Sequence, residues 1–511
     1  MTERHATTTR LSIGLLLLGW LAPAMIVGIS GLTDSLIFAC VIGLLAAGAA
    51  AYWAAGRLTG IVGAVAAQHK TLAALAVIVA LAAIVQNGRL AVYEYDEKKP
   101  QYSTVPGDNF RVIHNCFTSY SEAVRFAAAN ETNIYREELY QPRTIGPLRV
   151  DTYHYPPTFL VLPELLRIID SDFFAQRRLW YGLQTVFFTI GVLGLAGWIG
   201  GAAGGMAVLV APFLLAMPHI ATTFQTGNFQ STAFPLALLG MCLITSRRIA
   251  SGSLMLGYAA AGKIFPGLLV LYLIAARRWR AVAAVAAVGI VIALVALFLF
   301  GIDSYRMFLT YEVPRISSGV AFPQIDRVNS IHLNGAFYGL LAKLRTQGAS
   351  FLDPATSLRL TSLYGLLVIA LGIVTAVRAR HHDASTPRGR LLLVQLWLAL
   401  VTLASFRSPF AGFVYAWTGT FWLIVLLAAG AATPRRRALW LMALVPFALG
   451  FYTMPSGNVP AGTTVASAMM WTWIALQTLA IGVNLWLVGT WLISKRVRRP
   501  AASAPSPAFG A

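Results

Sequence analysis

The chain has 511 residues, 57% hydrophobic and 11% charged, with 39 Lys and Arg against 19 Asp and Glu. That apolar share excludes an ordinary soluble globular protein and points to an integral membrane protein. The net charge of +20 would suit a nucleic-acid partner if it lay along one face, but the basic residues fall in short clusters between apolar runs, so no nucleic-acid partner is expected.

The run after MTERHATTTR is too long for a signal-peptide core and reads as an uncleaved first helix. Apolar runs able to cross a hydrocarbon layer of roughly 30 Å predict twelve spans. They fall at about 11–31, 34–55, 72–90, 180–199, 205–222, 232–246, 281–301, 359–377, 390–407, 411–430, 437–454 and 467–492. The expected fold is all-α: a polytopic bundle of about twelve transmembrane helices in a single domain over 1–499, with a disordered Ala/Pro/Ser tail over 500–511.

Basic residues of short loops stay cytoplasmic. Arg10, Arg57, Lys70, Arg247, Arg248, Arg277 to Arg280, Arg378 to Arg390 and Arg435 to Arg437 then share one side, with both termini. This threading predicts a re-entrant hairpin over 249–276, with Lys263 and Pro266 at its break, and an interfacial helix over 330–344. It leaves 91–179 as a large extracytoplasmic loop, in which Phe117, Tyr120 and Val124, and then LPELLRIID, 162–170, read as interfacial helices. Cys40, Cys116 and Cys242 are too few and scattered for a disulfide framework, and only Cys116 lies in that loop.

Polar residues concentrate on the same face. In VDTYHYPPTFLVLPELL, 150–166, Pro156 and Pro157 stop any helix and form a rigid elbow. An extended arm before it would put Asp151, Tyr153 and Tyr155 on one side, a carboxylate with rings suited to a sugar. A loop-to-helix corner that only anchors the aromatic belt explains these residues equally well. His154 belongs to the same candidate set, with Tyr120 from the preceding helix. Lys263, an ammonium in an apolar hairpin, calls for an anionic partner, and a phosphate is one; a snorkelling lysine is the plain alternative. Asn228 and Gln230 in TGNFQST offer neutral hydrogen-bonding groups, although an N-cap and turn would use the same residues. Arg315 and Arg327, with Asn329, would together clamp phosphate. Nucleotide-binding, zinc-protease and hydrolase-elbow motifs are absent, as is any Cys/His metal spacing. No cofactor and no metal are expected, although carboxylates leave room for a divalent cation.

The motifs NCFTSYSEAVRFAAANETNIY, DTYHYPPTFLVLPELL, GNFQSTAFPLALLGM, GKIFPGLLVLYLIAARRWRA, VNSIHLNGAFYGLLAKL and RSPFAGFVYAW, in this order over more than half of the chain, resemble glycosyltransferase family 87. That family belongs to the polytopic C-type (GT-C) glycosyltransferases and includes polyprenyl-phosphate-mannose-dependent alpha-mannosyltransferases. The resemblance implies a GT-C bundle in the cell (inner) membrane that moves a sugar, mannose being the expectation, from a polyprenyl phosphate donor to a lipid or glycan acceptor on the extracytoplasmic face. It also implies an acidic residue early in the first large loop, where this chain has Cys116. Asp108 and then Asp151 are the substitutes expected to act as base, with Glu94, Asp96 and Glu97 further candidates. The rival reading is a transporter or flippase of lipid-linked sugars, for which a loop of this size is unusual.

Overall fold

Apolar runs become helices because a chain in lipid must satisfy every backbone polar group within itself. A computed structural model describes residues 3–323, 325, 330–453 and 464–493. Arg327, Asn329 and the tail over 500–511 lie outside these residues. Among the described residues nine helices are long and apolar enough to cross a membrane: Ala6–Ser30, Leu36–Gln68, Lys70–Tyr95, Phe173–Ile199, Trp279–Ser318, Pro354–Ala379, Pro387–Ser405, Phe413–Gly430 and Ser467–Ile493. Gly201–Leu215 and Pro218–Gln225 make a tenth if counted as one span bent by 67°. The bend follows from Pro218, which holds the preceding Met217 in an extended conformation (φ −64°, ψ 126°).

The chain is thus an all-α, multi-pass membrane protein, with fewer clear spans than the apolar runs predict. The expected sixth span is the short helix Gln230–Thr245. The expected eleventh is split into Pro434–Met442 and Val445–Thr453. Gln230–Thr245 packs closely on Ile249–Gly262 through Gly240 and Gly252: a Cβ on either glycine would lie 2.6–2.8 Å from the other's carbonyl oxygen. The expected break after that helix is present, with Lys263 extended (φ −135°, ψ 129°) and a new helix, Gly267–Ala275, starting behind Pro266.

Two expected interfacial helices are core elements instead. Phe117–Ala128 is buried on nearly every face; its Glu122 reaches Arg125 at 2.9 Å and Arg143 at 3.3 Å inside the loop. Phe337–Thr346 buries Tyr338, Ala342 and Lys343, and the Lys343 ammonium donates to Gln477 Oε1 at 2.6 Å. In both, the aromatic and apolar stripe faces protein, which a helical period alone does not distinguish from lipid. Val161–Ile169 does keep an exposed apolar edge, with Leu165, Ile168 and Ile169 outward.

Candidate functional site

The loop between Tyr95 and Phe173 is held by a small device: the strands Thr144–Ile145 and Leu148–Arg149 pair antiparallel around Gly146, whose φ of +55° suits glycine. Arg149 bridges to the backbone of His114, and the Asp151 amide donates to Thr118 Oγ1 at 3.0 Å. Asp151 is thereby delivered to His114, with Oδ2 3.2 Å from Nδ1. The other ring nitrogen, Nε2, lies 3.7 Å from Cys116 Sγ. Cys116 is fixed in turn, its amide donating to the Thr226 carbonyl at 2.7 Å, while Asn115 donates to the Gln225 carbonyl at 3.0 Å. Phe110 stacks on the imidazole with 4.9 Å between centroids. Burial opposes charge on His114, but the Asp151 carboxylate and Cys116 sulfur outweigh it and hold the imidazole pKa well above its ordinary value.

A second cluster faces this corner. The predicted elbow is present: Pro156 is extended and a 3-10 turn, Pro157–Leu160, leads into Val161–Ile169. Thr158 Oγ1 donates to the Ala261 carbonyl at 2.6 Å, which ties the elbow to the helix end that carries Lys263. Lys263 Nζ donates to the Tyr155 hydroxyl at 3.0 Å and lies 4.4 Å from its ring centroid. Asn228 Oδ1 accepts from the same ammonium at 3.5 Å, and Asn228 Nδ2 donates to Cys116 Sγ at 3.3 Å, so one amide links the two clusters. Among the described residues no carboxylate lies within ion-pair distance of Lys263. A half-buried ammonium with neutral partners is suited to an incoming anion.

Both clusters line one cavity of about 890 Å³. Its polar end holds His114, Cys116, Asp151, His154, Tyr155, Asn228, Gln230, Lys263, Arg407 and Tyr415. Its apolar end runs between Leu268 and Leu271 of Gly267–Ala275 and Val368 and Ile369 of Pro354–Ala379. Leu271 and Ile369 are each more than a third exposed, so this end is not closed over by protein.

Other expected residues are placed elsewhere. Asp108 caps Asn109–Ile113 and pairs at 3.3 Å with buried Arg111, which lines the cavity while Asp108 stands behind it. Glu94 pairs with Arg177 at 3.0 Å and Asp96 with Lys99 at 3.3 Å. Glu97 lies 4.0 Å from Arg177. Tyr120 stands behind the cavity, its hydroxyl donating to that of Tyr155 at 3.2 Å. Arg315 is engaged by Glu312 at 3.4 Å and Glu137 at 3.8 Å, and its expected clamp partner Arg327 lies outside the described residues. Tyr153 does not share a face with Asp151 and Tyr155: it is buried, bonds to the Pro156 carbonyl at 2.9 Å, and leaves His154 to face the cavity.

Several cavity residues escaped the sequence reading. His114 carried no motif, and Arg407 and Tyr415, although inside RSPFAGFVYAW, were not singled out as site residues. Glu312 is fully buried on a π-helical turn, Phe308–Glu312, and holds His154 Nδ1 at 2.7 Å. Such a turn often marks a functional position, and it was not visible in sequence.

In this multi-pass helical membrane protein one cavity thus joins a polar corner and a half-buried ammonium to an apolar groove, a layout suited to an amphiphilic molecule. Residues 153–405 match the sequence model of glycosyltransferase family 87, in agreement with the motifs of the sequence. The polyprenol-phosphate-mannose-dependent alpha-(1-2)-phosphatidylinositol pentamannoside mannosyltransferase of Mycolicibacterium smegmatis is 28% identical over 244 residues, covering 40% of this chain and 58% of the relative. The match therefore spans little more than half of that relative's length. No solved structure matches the chain. The family match includes Tyr155, Asn228, Lys263 and the apolar groove, whereas His114, Cys116 and Asp151 precede it.

Proposed function

We propose that the protein transfers a sugar, mannose by analogy with the relative's name, from a polyprenyl phosphate to a hydroxyl of a lipid or glycan acceptor. The reaction takes place at the extracytoplasmic face of the cell (inner) membrane, with both chain termini cytoplasmic. The carrying observation is the single cavity in which Lys263 and the Asp151 corner meet a groove of apolar side chains. A polyprenyl chain suits the groove, its phosphate suits the ammonium, and the sugar then lies toward the corner.

In the transfer, the acceptor hydroxyl oxygen bonds to the anomeric carbon as the bond from that carbon to the phosphate oxygen breaks. The hydroxyl proton passes to Asp151, which His114 orients, and the departing polyprenyl phosphate gains one negative charge beside Lys263. Asp151 takes the place of the carboxylate that the family resemblance leads one to expect at Cys116. Asn228 and Tyr155 hold the ammonium in place.

The test gives purified protein radiolabelled polyprenyl phosphate sugars together with lipid acceptors. Labelled acceptor is expected. Folded protein that moves the donor across proteoliposome membranes without a covalent product would support the flippase reading instead.

A further inference from the structure

His114, Cys116 and Asp151 each offer one ligand atom, and these atoms all lie within 4.8 Å of one another. We infer that this corner is a three-ligand site for a thiophilic divalent cation of the Zn2+ class, with its remaining coordination position open to the cavity; the imidazole ligates through one nitrogen, and the contact of its other nitrogen, now made to Asp151 or Cys116, gives way on binding.

The donor set carries the choice of ion. An imidazole nitrogen, a thiolate and a carboxylate oxygen together suit Zn2+ and its neighbours, whereas Mg2+ and Ca2+ prefer oxygen donors throughout. Three protein ligands with an open position is the arrangement of zinc sites that bind substrate. The ligands also come from a fixed frame. Cys116 is anchored to the Thr226 carbonyl at 2.7 Å, Asp151 to Thr118 at 3.0 Å, and His114 is stacked by Phe110. Asn228 Nδ2, 3.3 Å from Sγ, is an outer hydrogen bond of the kind that tunes a metal-bound thiolate. All three ligating residues line the cavity, so a small ion can enter. Cys116 and His114 are two residues apart, but Asp151 is distant in sequence and completes the set only through the Thr144–Arg149 hairpin.

Binding of the cation does not depend on the sugar-transfer reading; only its role does. Under that reading the open position takes the acceptor hydroxyl oxygen and lowers its pKa. Ligation uses one Asp151 oxygen, and the second remains to receive the proton. Cys116 then contributes to activating the acceptor as a ligand.

The test is Co2+ titration of metal-depleted full-length protein in detergent, read by its visible ligand-field bands and near-ultraviolet thiolate-to-metal charge transfer. One equivalent with a charge-transfer band is expected. Cys116→Ser should abolish that band, and Asp151→Asn should keep it while weakening binding by more than ~10-fold, since even outer partners of metal ligands produce effects of that size. Size-exclusion chromatography of each variant checks its fold, and the Asp151 variant preserves the test if the Cys116 variant fails to fold. A folded wild type that shows no charge-transfer band overturns the site, as does a Cys116→Ser variant that keeps the band. A bound ion without sugar transfer would leave the site standing and remove the transferase reading; transfer by protein that binds no ion would do the reverse.

Discussion

Lys263 and Tyr155, 108 residues apart, meet with Nζ 3.0 Å from the phenol oxygen and 4.4 Å from the ring centroid. The contact joins two proline-made breaks of the chain, the Pro156–Pro157 elbow and the Lys263–Pro266 interruption. Each break alone is a helix end; together they fix a cation at the mouth of an apolar groove.

Lys263→Gln should therefore lower kcat for sugar transfer by ~10²–10³-fold, the scale on which loss of a preorganised charge partner acts. The fold should survive, because the partners left behind, Tyr155 and Asn228, are neutral and can bond to the new amide. Steady-state transfer rates together with thermal unfolding check both halves of this expectation.

The two aspartates expected as bases should behave differently. Asp151→Asn should reduce transfer by ~10²–10⁴-fold with little change in thermal stability, as loss of a general base does. Asp108→Asn should leave Arg111 buried beside an uncharged amide and cost about 3 kcal/mol of stability, while transfer per folded molecule stays near wild type. Paired unfolding and activity measurements on the two variants distinguish them.

The side of the membrane is readable through Cys116. Cys242 is fully buried and Cys40 lies within Leu36–Gln68, whereas Cys116 lines the cavity. A membrane-impermeant thiol reagent added to intact cells after washing with chelator should label wild-type protein but not Cys116→Ser. Labelling confined to inside-out vesicles would contradict the extracytoplasmic site.

His332 gives a pH signature. Burial, then the charges of Lys343 and Arg111, depress its pKa from 6.5 to about 4. A depressed histidine favours the folded state fully above the unfolded pKa, and that contribution is lost as pH falls from about 6.5 through about 4. Thermal stability should drop across this window, and His332→Gln should flatten the drop, as melting curves at stepped pH values would show.

Much of the architecture was legible because lipid imposes one rule on backbone hydrogen bonds, and prolines mark its exceptions. Pro266 and the Pro156–Pro157 pair stand at the breaks expected from sequence, whereas Pro218 bends what reads as the single span 205–222. Apolar length was less informative where helices are short or split, as at Gln230–Thr245 and after Met442, because hydropathy registers composition and not continuity. Of the candidate site, Lys263, Tyr155 and Asp151 were visible as polar groups out of place in their surroundings. His114 was not, since its partners arrive through a tertiary hairpin. Glu312 was hidden by a π-helical turn, and Asp108 looked available only because the sequence does not show Arg111 folding back on it.

The most direct measurement is a cryo-electron microscopy map of the protein with a non-hydrolysable polyprenyl phosphate sugar bound. The account predicts phosphate density beside Lys263 Nζ, isoprenoid density between Leu268 and Val368, and the anomeric carbon facing Asp151. Lipid phosphate bound away from Lys263, or a sugar turned away from the His114–Asp151 corner, would contradict it.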